Sequence, residues 1–530
     1  MEPANQPAGV RVDKSSSALA SRNTSNRIQA PMEPETENLD VVVIGAGLSG
    51  INTAYRLKTQ LPHHSYAILE ARAELGGTWA FWKYPGIRTD SSMGLFGFSW
   101  RPWPHEVNMA PAPAIKQYME ECAAAEGIDK KIRLRHRVVV SSWSSQEQRW
   151  TLQVDAKGED GTVHRKVIKA WWVINASGYY SYEKPLPAVI PGIERFGGQV
   201  VHPQFWDEKV NYSGKKVVII GSGATAITLL PALAKTSHSV TMLQRSPSYV
   251  MSLPSKNSTS AFLSKYMPSS WAAQIHWWLS MLIETLFVGF LKTFPQVGRR
   301  FIMSEMRNSL PKDFDIDKHF NPRYNPFEQR LCFCPGADFF KALHRPNTRV
   351  VTDNVETVTE TGILLKSGET LEADMIITAT GLYFSLLSSV KATVDGESVN
   401  DTLGTRYIWN GVMLEGVPNS GLISGYTAAT WTPGADARVR QLIKVIKYMD
   451  KVEATMAMPC IEPAERAQMP VLPGINLSST YVVSAMDRLP KIAGKAPWVN
   501  GSNWAVDMWR LMTSNVREGM RYTFADKKGI

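Results

Sequence analysis

Two apolar runs of the chain each end in a glycine-rich turn and continue into a segment with helical character. LDVVVI (39–44) precedes Gly45-x-Gly47-x-x-Gly50, and KKVVII (215–220) precedes Gly221-x-Gly223-x-x-Ala226. Short runs rich in β-branched residues favour buried strands. The pattern therefore predicts two strand–turn–helix units, and this context raises each glycine motif above a chance match.

The two units also close in the same way. A turn-separated pair of strands leads each time into an apolar strand and a stop of small residues, WWVINASG ending at Gly178 and MIITATG ending at Gly381. Such repetition indicates an internal duplication of dinucleotide-binding domains. The chain continues far enough beyond Gly381 for the second domain to be inserted within the first.

The residues at the ends of the second strands distinguish the two nucleotide sites. YAILE ends in Glu70, whose carboxylate accepts hydrogen bonds from ribose hydroxyls and repels a 2′-phosphate. SVTMLQRSP carries Arg245 at the matching place, and a guanidinium suits a 2′-phosphate by charge and geometry. We therefore expect FAD at the first turn and NADP at the second. The alternative is a structural α/β domain whose turns bind nothing.

The predicted fold is α/β, with two Rossmann-like dinucleotide-binding domains and a mainly helical insert. Its proposed divisions are a disordered N-terminal extension (1–38), a first part of the FAD domain (39–180), an NADP domain (181–381) with the insert at about 250–340, and a second part of the FAD domain with the C-terminal region (382–530).

Composition changes this picture little. The 530 residues carry a formal net charge of +10, which an anionic surface or phosphorylated cofactors would both explain. No basic run interleaved with aromatic residues argues for nucleic acid. The four cysteines form no C-x-x-C pair and join no histidine cluster, so we predict no metal site and a reducing, cytoplasmic location.

One segment leaves a membrane alternative open. IHWWLSMLIETLFVGFL (275–291) is the most apolar part of the chain, but it is shorter than the roughly 20 residues of a span, and Glu284 interrupts it. We interpret it as a buried or surface-associating helix. Peripheral contact with an intracellular membrane is the less favoured alternative.

Two further motifs carry a family resemblance. GGTWAFWKYPGIRTD (76–90) has the form G-G-x-W-x-x-x-x-Y-P-G-x-x-x-D, and FGGQVVHPQFWD (196–207) has the form F-x-G-x-x-x-H-x-x-x-W-D. Together they resemble the type I Baeyer–Villiger monooxygenases, which are related to the flavin-containing monooxygenases. The similarity runs from about residue 39 to the C-terminus. Stretches such as YNPFEQRLC and MLQRSPSYV resemble in particular the bacterial ethionamide-activating monooxygenases.

The resemblance implies that NADPH reduces FAD, that O₂ adds to form a C4a-peroxyflavin, and that this peroxide converts a hydrophobic ketone to an ester or lactone. Arg330 occupies the position of the catalytic arginine, and Asp90 resembles its acidic partner. His202 is expected to act in conformational change and hydrogen bonding, while Trp206 packs. The alternatives are a solvated arginine at 330 and a packed interdomain histidine at 202.

The resemblance also carries over cofactor positions. The expected cofactor residues of the FAD side are Gly45, Gly47, Ser49, Gly50, Glu70, Thr78, Trp79, Ala80, Phe81, Asp90 and Val138. Those of the NADP side are Arg88, Thr89, Asp90, Gly221, Ser222, Gly223, Ala224, Thr225, Ala226, Ile227, Arg245 and Ser246. The substrate pocket is expected from the insert and from GYTAATWTPG (425–434).

Two other functions remain open at this point. The first is oxygenation at sulfur or nitrogen by the same flavin chemistry. The second is a non-catalytic flavoprotein that responds to redox state. The presence of both Arg330 and Asp90 argues against the second.

Overall fold

The computed structural model describes residues 36–501 and 503–524. These residues form one compact unit by their internal contacts. The strands are β1 (Thr36–Ile44), β2 (Tyr66–Leu69), β3 (Ile132–Arg133), β4 (His136–Ser144), β5 (Arg149–Lys157), β6 (Val163–Asn175), β7 (Gln199–Val201), β8 (Lys216–Ile220), β9 (Ser239–Gln244), β10 (Val250–Leu253), β11 (Cys332–Pro335), β12 (Thr348–Thr352), β13 (Val355–Thr359), β14 (Gly362–Leu365), β15 (Thr370–Glu372), β16 (Met375–Thr378), β17 (Lys391–Val394), β18 (Glu397–Ser398), β19 (Ile408–Trp409), β20 (Met413–Leu414), β21 (Ser420–Leu422), β22 (Ala454–Pro459), β23 (Leu472–Pro473), β24 (Lys491–Ile492) and β25 (Met520–Phe524).

Helices cover the sheets and supply most of residues 258–319. They are α1 (Leu48–Gln60), α2 (Thr78–Phe81), α3 (Met93–Phe96), α4 (Ala112–Ala125), α5 (Ala224–Leu233), α6 (Ser258–Tyr266), α7 (Ser269–Thr293), α8 (Pro295–Ser309), α9 (Ile316–His319), α10 (Asp338–Leu343), α11 (Val399–Thr402), α12 (Trp431–Val452), α13 (Pro463–Arg466), α14 (Thr480–Val483) and α15 (Trp504–Thr513).

The larger sheet has nine strands in the order β18-β17-β4-β5-β6-β1-β2-β3, with β21 also paired to β6. Strand β1 runs parallel to both β2 and β6. Its last four residues, Val41–Ile44, are all buried: Val41 and Val43 pack with residues of α1 and α12, and Val42 and Ile44 pack with residues of β4 and β5. The glycine turn that follows β1 therefore lies where the strand order reverses, the usual place for a ligand in such sheets.

The second sheet has five parallel strands in the order β12-β9-β8-β16-β7. Strand β8 lies between β9 and β16, so the second glycine turn also follows a strand at which the order reverses. In sequence, all strands of this sheet lie between β6 and β17 of the larger sheet. The predicted α/β fold with two Rossmann-like sheets is confirmed.

The alanines of the two small-residue stops contact the two glycine turns in the same way. A Cβ atom on Gly45 would lie 2.8 Å from the carbonyl oxygen of Ala176, and one on Gly221 would lie 2.3 Å from that of Ala379. Both glycines also have a positive φ, +104° and +140°. This shared packing is the physical reason why the turn and the stop occur together in each unit.

Two predicted boundaries need correction. Strand β1 begins at Thr36, so ordered structure starts before the predicted end of the extension at residue 38; residues 1–35 lie outside the described residues. Helix α7 has 25 residues, more than the 17 of the apolar segment alone, because it continues on both sides of that segment. Its outer face is exposed, so it is not the buried helix that was one of the expectations.

Candidate active site

A cavity of about 550 Å³ runs from the first glycine turn to Arg330. Its wall includes Gly45, Gly47 and Ser49 at one end and Asp90 and Arg330 at the other. The expected residues Glu70, Thr78, Trp79, Phe81 and Val138 also lie on this wall, as do Arg88, Ala224 and Thr225 from the expected NADP set. The tertiary structure thus joins residues that the sequence separates widely.

The first turn is closed by its own backbone. A Cβ atom on Gly50 would lie 1.9 Å from the carbonyl oxygen of Gly45, so no other residue fits at this position. Gly47 is the N-cap of α1 and has no side chain to cap the first N–H groups of the helix. These N–H groups and the positive end of the helix dipole make this turn suited to a phosphate.

The carboxylate of Glu70 is buried behind the same turn. Its Oε2 accepts a hydrogen bond of 2.8 Å from the backbone N–H of Ala46, and its Oε1 accepts one of 3.0 Å from the N–H of Arg72. The side chain is 6% exposed yet lies on the cavity wall. Its position at the end of β2 is the one that the sequence predicts for a ribose-binding acid.

Aromatic side chains form much of the remaining wall. The Thr78 hydroxyl lies 3.0 Å from the Tyr180 hydroxyl, which also accepts a hydrogen bond of 2.8 Å from the Trp82 indole. The Arg72 guanidinium lies 4.0 Å from the centre of the Tyr182 ring. Ala80 is buried and does not reach the wall. Residues beyond the GGTW motif thus hold α2 in place.

The second end of the cavity contains a fixed positive charge. Nη2 of Arg330 lies 3.4 Å from Oδ2 of Asp90. The Asp90 carboxylate raises the pKa of Arg330 above its ordinary value, so the guanidinium stays charged. The hydroxyls of Tyr179 and Tyr481 lie near Arg330, whose charge lowers their pKa, but burial outweighs this effect: it raises the pKa of Tyr481 and raises that of Tyr179 to about 12. Both hydroxyls are therefore neutral near pH 7.

The sequence interpretation missed these two tyrosines. Tyr179 directly follows the NASG stop, and that position alone could have placed it at the edge of the first sheet. Nothing in the sequence around Tyr481 indicates its role, because α14 approaches the site only in the tertiary structure. Ser49 gains a partner in the same way, since the Trp431 indole donates a hydrogen bond of 3.0 Å to its hydroxyl.

The loop that ends at Asp90 positions Arg88 and Thr89 differently. Arg88 reaches the cavity wall and forms an ion pair of 3.2 Å with Asp338. Thr89 is fully buried, and its hydroxyl bonds within the chain to Ser91. The structure therefore does not bring the Thr89 side chain to the cavity.

The second turn is more open than the first. Gly223 is the N-cap of α5, and a Cβ atom there would have nothing within 4 Å. Ala226 and Ile227 belong to α5 and lie on its buried side, so they leave the first turn of the helix accessible. The Ser222 hydroxyl lies 2.9 Å from that of Ser248 and donates a bond of 3.3 Å to the carbonyl of Ser246.

Arg245 follows β9 at the edge of this turn. Its side chain is exposed, and its Nη2 contacts the Thr480 hydroxyl at 3.4 Å. An exposed guanidinium next to an open helix N-terminus can accept a phosphate group without losing a buried partner. Ser246 is also exposed and adjacent in the chain.

His202 lies just after edge strand β7 and outside the cavity wall. Its Nδ1 accepts a hydrogen bond of 3.1 Å from the backbone N–H of Gln204, and the Gln204 amide donates one of 2.8 Å to the carbonyl of Ser181. Burial lowers the pKa of His202. The motif therefore ties the second sheet to the segment that leaves the first, and Trp206 packs in the core as expected.

The structure brings together one cluster of metal-ligating residues that the sequence analysis did not predict. Ligand atoms of His63, His64 and Asp450 lie within 4.8 Å of one another on the surface. Both imidazoles contact the Asp450 carboxylate, at 3.2 and 3.1 Å, and these contacts account for the cluster.

Of the residues 250–340, only Arg330 lies on the wall of this cavity within the described part of the chain. From the C-terminal stretch at 425–434, Tyr426, Ala429 and Trp431 contribute. The substrate pocket was expected from the insert and from residues 425–434. At this cavity the insert contributes a single residue, Arg330.

These residues fit a flavin dinucleotide at the first turn. The close packing at Gly50, the uncapped α1 and the buried Glu70 provide for a pyrophosphate and a ribose, and the elongated cavity continues to a cation. The second turn offers the same backbone arrangement in an open setting.

Solved structures with similar folds define the class. An oxidized steroid monooxygenase bound to NADP aligns over 92% of this chain and all of its own, with a TM-score of 0.70 and 20% identity. Cyclohexanone monooxygenase from Rhodococcus, bound to NADP⁺, aligns over 93% of this chain and all of its own, with a TM-score of 0.68 and 19% identity. The chain has the fold of these monooxygenases.

Sequence comparison shows the family. A family profile described as flavin-binding monooxygenase-like matches residues 38–267. The FAD-containing monooxygenase EthA of Mycolicibacterium smegmatis is 42% identical over 91% of this chain and 96% of its own length. The probable FAD-binding monooxygenase AlmA of Acinetobacter baylyi is 36% identical over 93% and 97%. The chain belongs to the FAD-containing monooxygenases and is an enzyme, so the non-catalytic alternative is wrong.

Proposed function

We propose that this enzyme uses NADPH and O₂ to convert a hydrophobic ketone to an ester or lactone, a Baeyer–Villiger oxidation. The observation that carries the proposal is the Arg330–Asp90 ion pair at the end of the cavity that begins at the first glycine turn. When bound, FAD would supply the electrons and the site at which oxygen is activated.

The protein's own residues would hold this cofactor in an extended form. Gly47 and the start of α1 would face the pyrophosphate, and Glu70 would accept hydrogen bonds from ribose hydroxyls. The Val138 backbone, at a register irregularity in β4, would face the adenine. The isoalloxazine would then extend toward Thr78, Trp79 and the cation.

Arg330 would stabilise negative charge on the reacting oxygen. Because Asp90 keeps the guanidinium protonated and oriented, the charge is in place before the reaction and needs no rearrangement during it. With the cofactors bound, the aromatic wall would exclude water, which would strengthen this interaction and protect the oxygen from loss to solvent.

NADP would bind at the second turn. The N-terminus of α5 would face its pyrophosphate, and Arg245 with Ser246 would take the 2′-phosphate. Ala224 and Thr225 lie on both this turn and the cavity wall, so the nicotinamide end would reach the flavin through the start of α5. His202 and Gln204 would link this sheet to the first during cofactor movement.

Oxygenation at sulfur or nitrogen is the second candidate. The observation that favours it is the pair of neutral hydroxyls of Tyr179 and Tyr481 near Arg330, since a neutral hydroxyl can donate a hydrogen bond that helps to keep the reacting oxygen protonated, the form that an electron-rich heteroatom attacks. The two reactions share both cofactors and differ in the protonation of one oxygen.

The test compares wild type with Arg330→Ala and Arg330→Lys. We expect flavin reduction by NADPH to stay close to that of wild type in both variants, because Arg330 lies at the far end of the cavity from the first glycine turn and is not among the residues expected to bind either nucleotide. Ester formation from a panel of ketones should fall by at least about 100-fold in Arg330→Ala, the scale on which loss of a preorganised charge acts. Arg330→Lys keeps the positive charge but not the planar guanidinium with its parallel N–H donors, and it should retain partial activity.

Product identity separates the two candidates. Esters from ketones, lost in Arg330→Ala, support the Baeyer–Villiger proposal. Sulfoxides from thioethers, with no ester from any ketone, support heteroatom oxygenation instead. If Arg330→Ala lost both flavin reduction and product formation, the role assigned to this arginine would be refuted.

A further inference from the structure

Helix α7 is apolar on two opposite faces. Ala272, His276, Trp277, Met281 and Leu291 are buried against the protein. The other face, which we call the apolar face of α7, consists of exposed large side chains at helical spacing: Trp271, Ile275, Trp278, Leu279, Leu282, Ile283, Leu286 and Phe290. A helix at a protein surface needs only one apolar stripe for its core, so the second stripe is unexplained by the fold.

Neighbouring helices extend this surface. Helices α6 and α8 pack against α7 and expose Phe262, Tyr266, Phe294, Val297 and Phe301. Helix α15 approaches through Trp504, whose ring centre lies 5.3 Å from that of Trp278. On α15, Trp509 and Met512 are 61% and 75% exposed. Exposed apolar side chains, with tryptophans and a tyrosine among them, thus lie on four helices that pack next to one another.

Most of the charged side chains around this surface are basic, although Glu305 is exposed as well. Residues 254–312 contain seven lysines and arginines, but only two acids, Glu284 and Glu305. Glu284 points inward, where it accepts hydrogen bonds from the backbone N–H and hydroxyl of Thr430. Lys265, Lys292 and Arg300 are exposed, and within the described residues they form no ion pair. The rim of the apolar surface is therefore basic.

We propose that the apolar face of α7, with its neighbours on α6, α8 and α15, docks onto an anionic lipid bilayer. The apolar side chains would enter the boundary between headgroups and acyl chains, and the basic rim would contact anionic headgroups. Tryptophan and tyrosine prefer this interface because they combine an apolar ring with a polar N–H or O–H.

The geometry specifies a helix that lies on the bilayer and does not cross it. Within the described residues, α7 is the one helix whose length and composition would allow a span. Its inner face, however, is packed against the protein from Ala272 to Leu291, so lipid cannot surround it. The basic rim also argues for a lipid partner over a second copy of this chain, because two copies would bring like charges together.

Docking would place α7 between the bilayer and the cavity. The inner face of the helix holds Thr430 through Glu284, and the next residue, Trp431, lies on the cavity wall.

The test measures binding of the purified holoenzyme to sedimented vesicles of phosphatidylcholine alone or with 30 mol % phosphatidylglycerol, a composition of roughly physiological charge. Ile283→Glu/Leu286→Glu changes two side chains that are 66% and 63% exposed, so the fold loses no core contact. We expect binding to anionic vesicles to fall at least tenfold, because two apolar groups are replaced by charges that the headgroups repel.

Val163→Glu/Val189→Glu is the matched control. These valines are 58% and 96% exposed and lie outside residues 254–312, so the variant adds the same two charges elsewhere. It should bind vesicles like wild type. Lys292→Glu/Arg300→Glu should lose the preference for anionic vesicles, and added salt should have the same effect on wild type. Flavin content and melting temperature report whether each variant is folded.

Each result decides the proposal. Tight binding to anionic vesicles that only the α7 and rim variants lose supports it. Equal binding to neutral and anionic vesicles would overturn the assignment to anionic lipid. No vesicle binding, with a dimer in light scattering that Ile283→Glu/Leu286→Glu converts to monomer, would show that a second copy covers this surface.

Discussion

The two glycine turns share one backbone plan but differ in their surroundings. At the first, Glu70 is buried behind the turn, Trp431 bonds to Ser49 across it, and a cavity continues from it. At the second, Gly223 faces open space and Arg245 is exposed. An enclosed site suits a cofactor that stays bound, whereas an open one suits a cofactor that exchanges in each cycle. The surroundings of the turn, and not the motif, carry this distinction.

The largest effect is expected from a substitution that breaks the closed first turn. Gly50→Ala places a Cβ atom 1.9 Å from the carbonyl oxygen of Gly45, so the turn must open. We expect a protein that purifies without flavin or fails to fold. Gly223→Ala adds the same methyl at the open turn, where it meets no atom within 4 Å; its position corresponds to Gly47, because the position that corresponds to Gly50 is already Ala226. It should retain full flavin absorbance, and colourless Gly223→Ala protein would contradict the comparison.

The second prediction concerns the charge at the open turn. Arg245→Ala should reduce the preference for NADPH over NADH by about 10- to 100-fold, the range for a lost charge-assisted hydrogen bond to a phosphate. Flavin content should not change, since Arg245 does not contact the cavity. Steady-state kcat/KM for both nucleotides measures the ratio. An unchanged ratio would remove Arg245 from the NADP site.

The smallest expected effect concerns the link between the two sheets. Burial lowers the pKa of His202 below its usual 6.5, so the unfolded chain binds a proton there before the folded one does. His202 therefore lowers stability as the pH falls below about 6.5, when its Nδ1 must give up the bond from Gln204. His202→Asn keeps a side-chain acceptor for this N–H but does not titrate.

Melting temperatures at pH 7.5 and 5.5 measure this contribution. The acid-induced decrease should be about 1 °C smaller in His202→Asn than in wild type, the scale of a sub-kilocalorie change in a chain of this size. His276 and His319 also have lowered pKa values, but both proteins retain them, so the difference isolates His202. A larger acid-induced decrease in the melting temperature of His202→Asn than in that of wild type would contradict the prediction.

The sequence determined the parts of the fold whose signals are local. Runs of β-branched residues gave the strands, the glycine turns gave the strand–helix junctions, and the repeated stops gave the second copy. These signals are reliable because the first glycine of each turn, Gly45 or Gly221, has a positive φ and a carbonyl oxygen within 3 Å of its Cβ position, conditions that only glycine meets. Glu70 and Arg245 follow from the same local plan, since each ends the next strand.

Only the tertiary structure decided what surrounds those junctions. Tyr179, Tyr481 and Arg330 come from three separate parts of the chain, and no spacing rule relates them before the sheets and α14 pack together. The apolar segment in α7 shows the same limit. Periodicity identifies an apolar helix, but which of its two apolar faces is buried depends on the surface it packs against, and that surface is formed by residues distant in sequence.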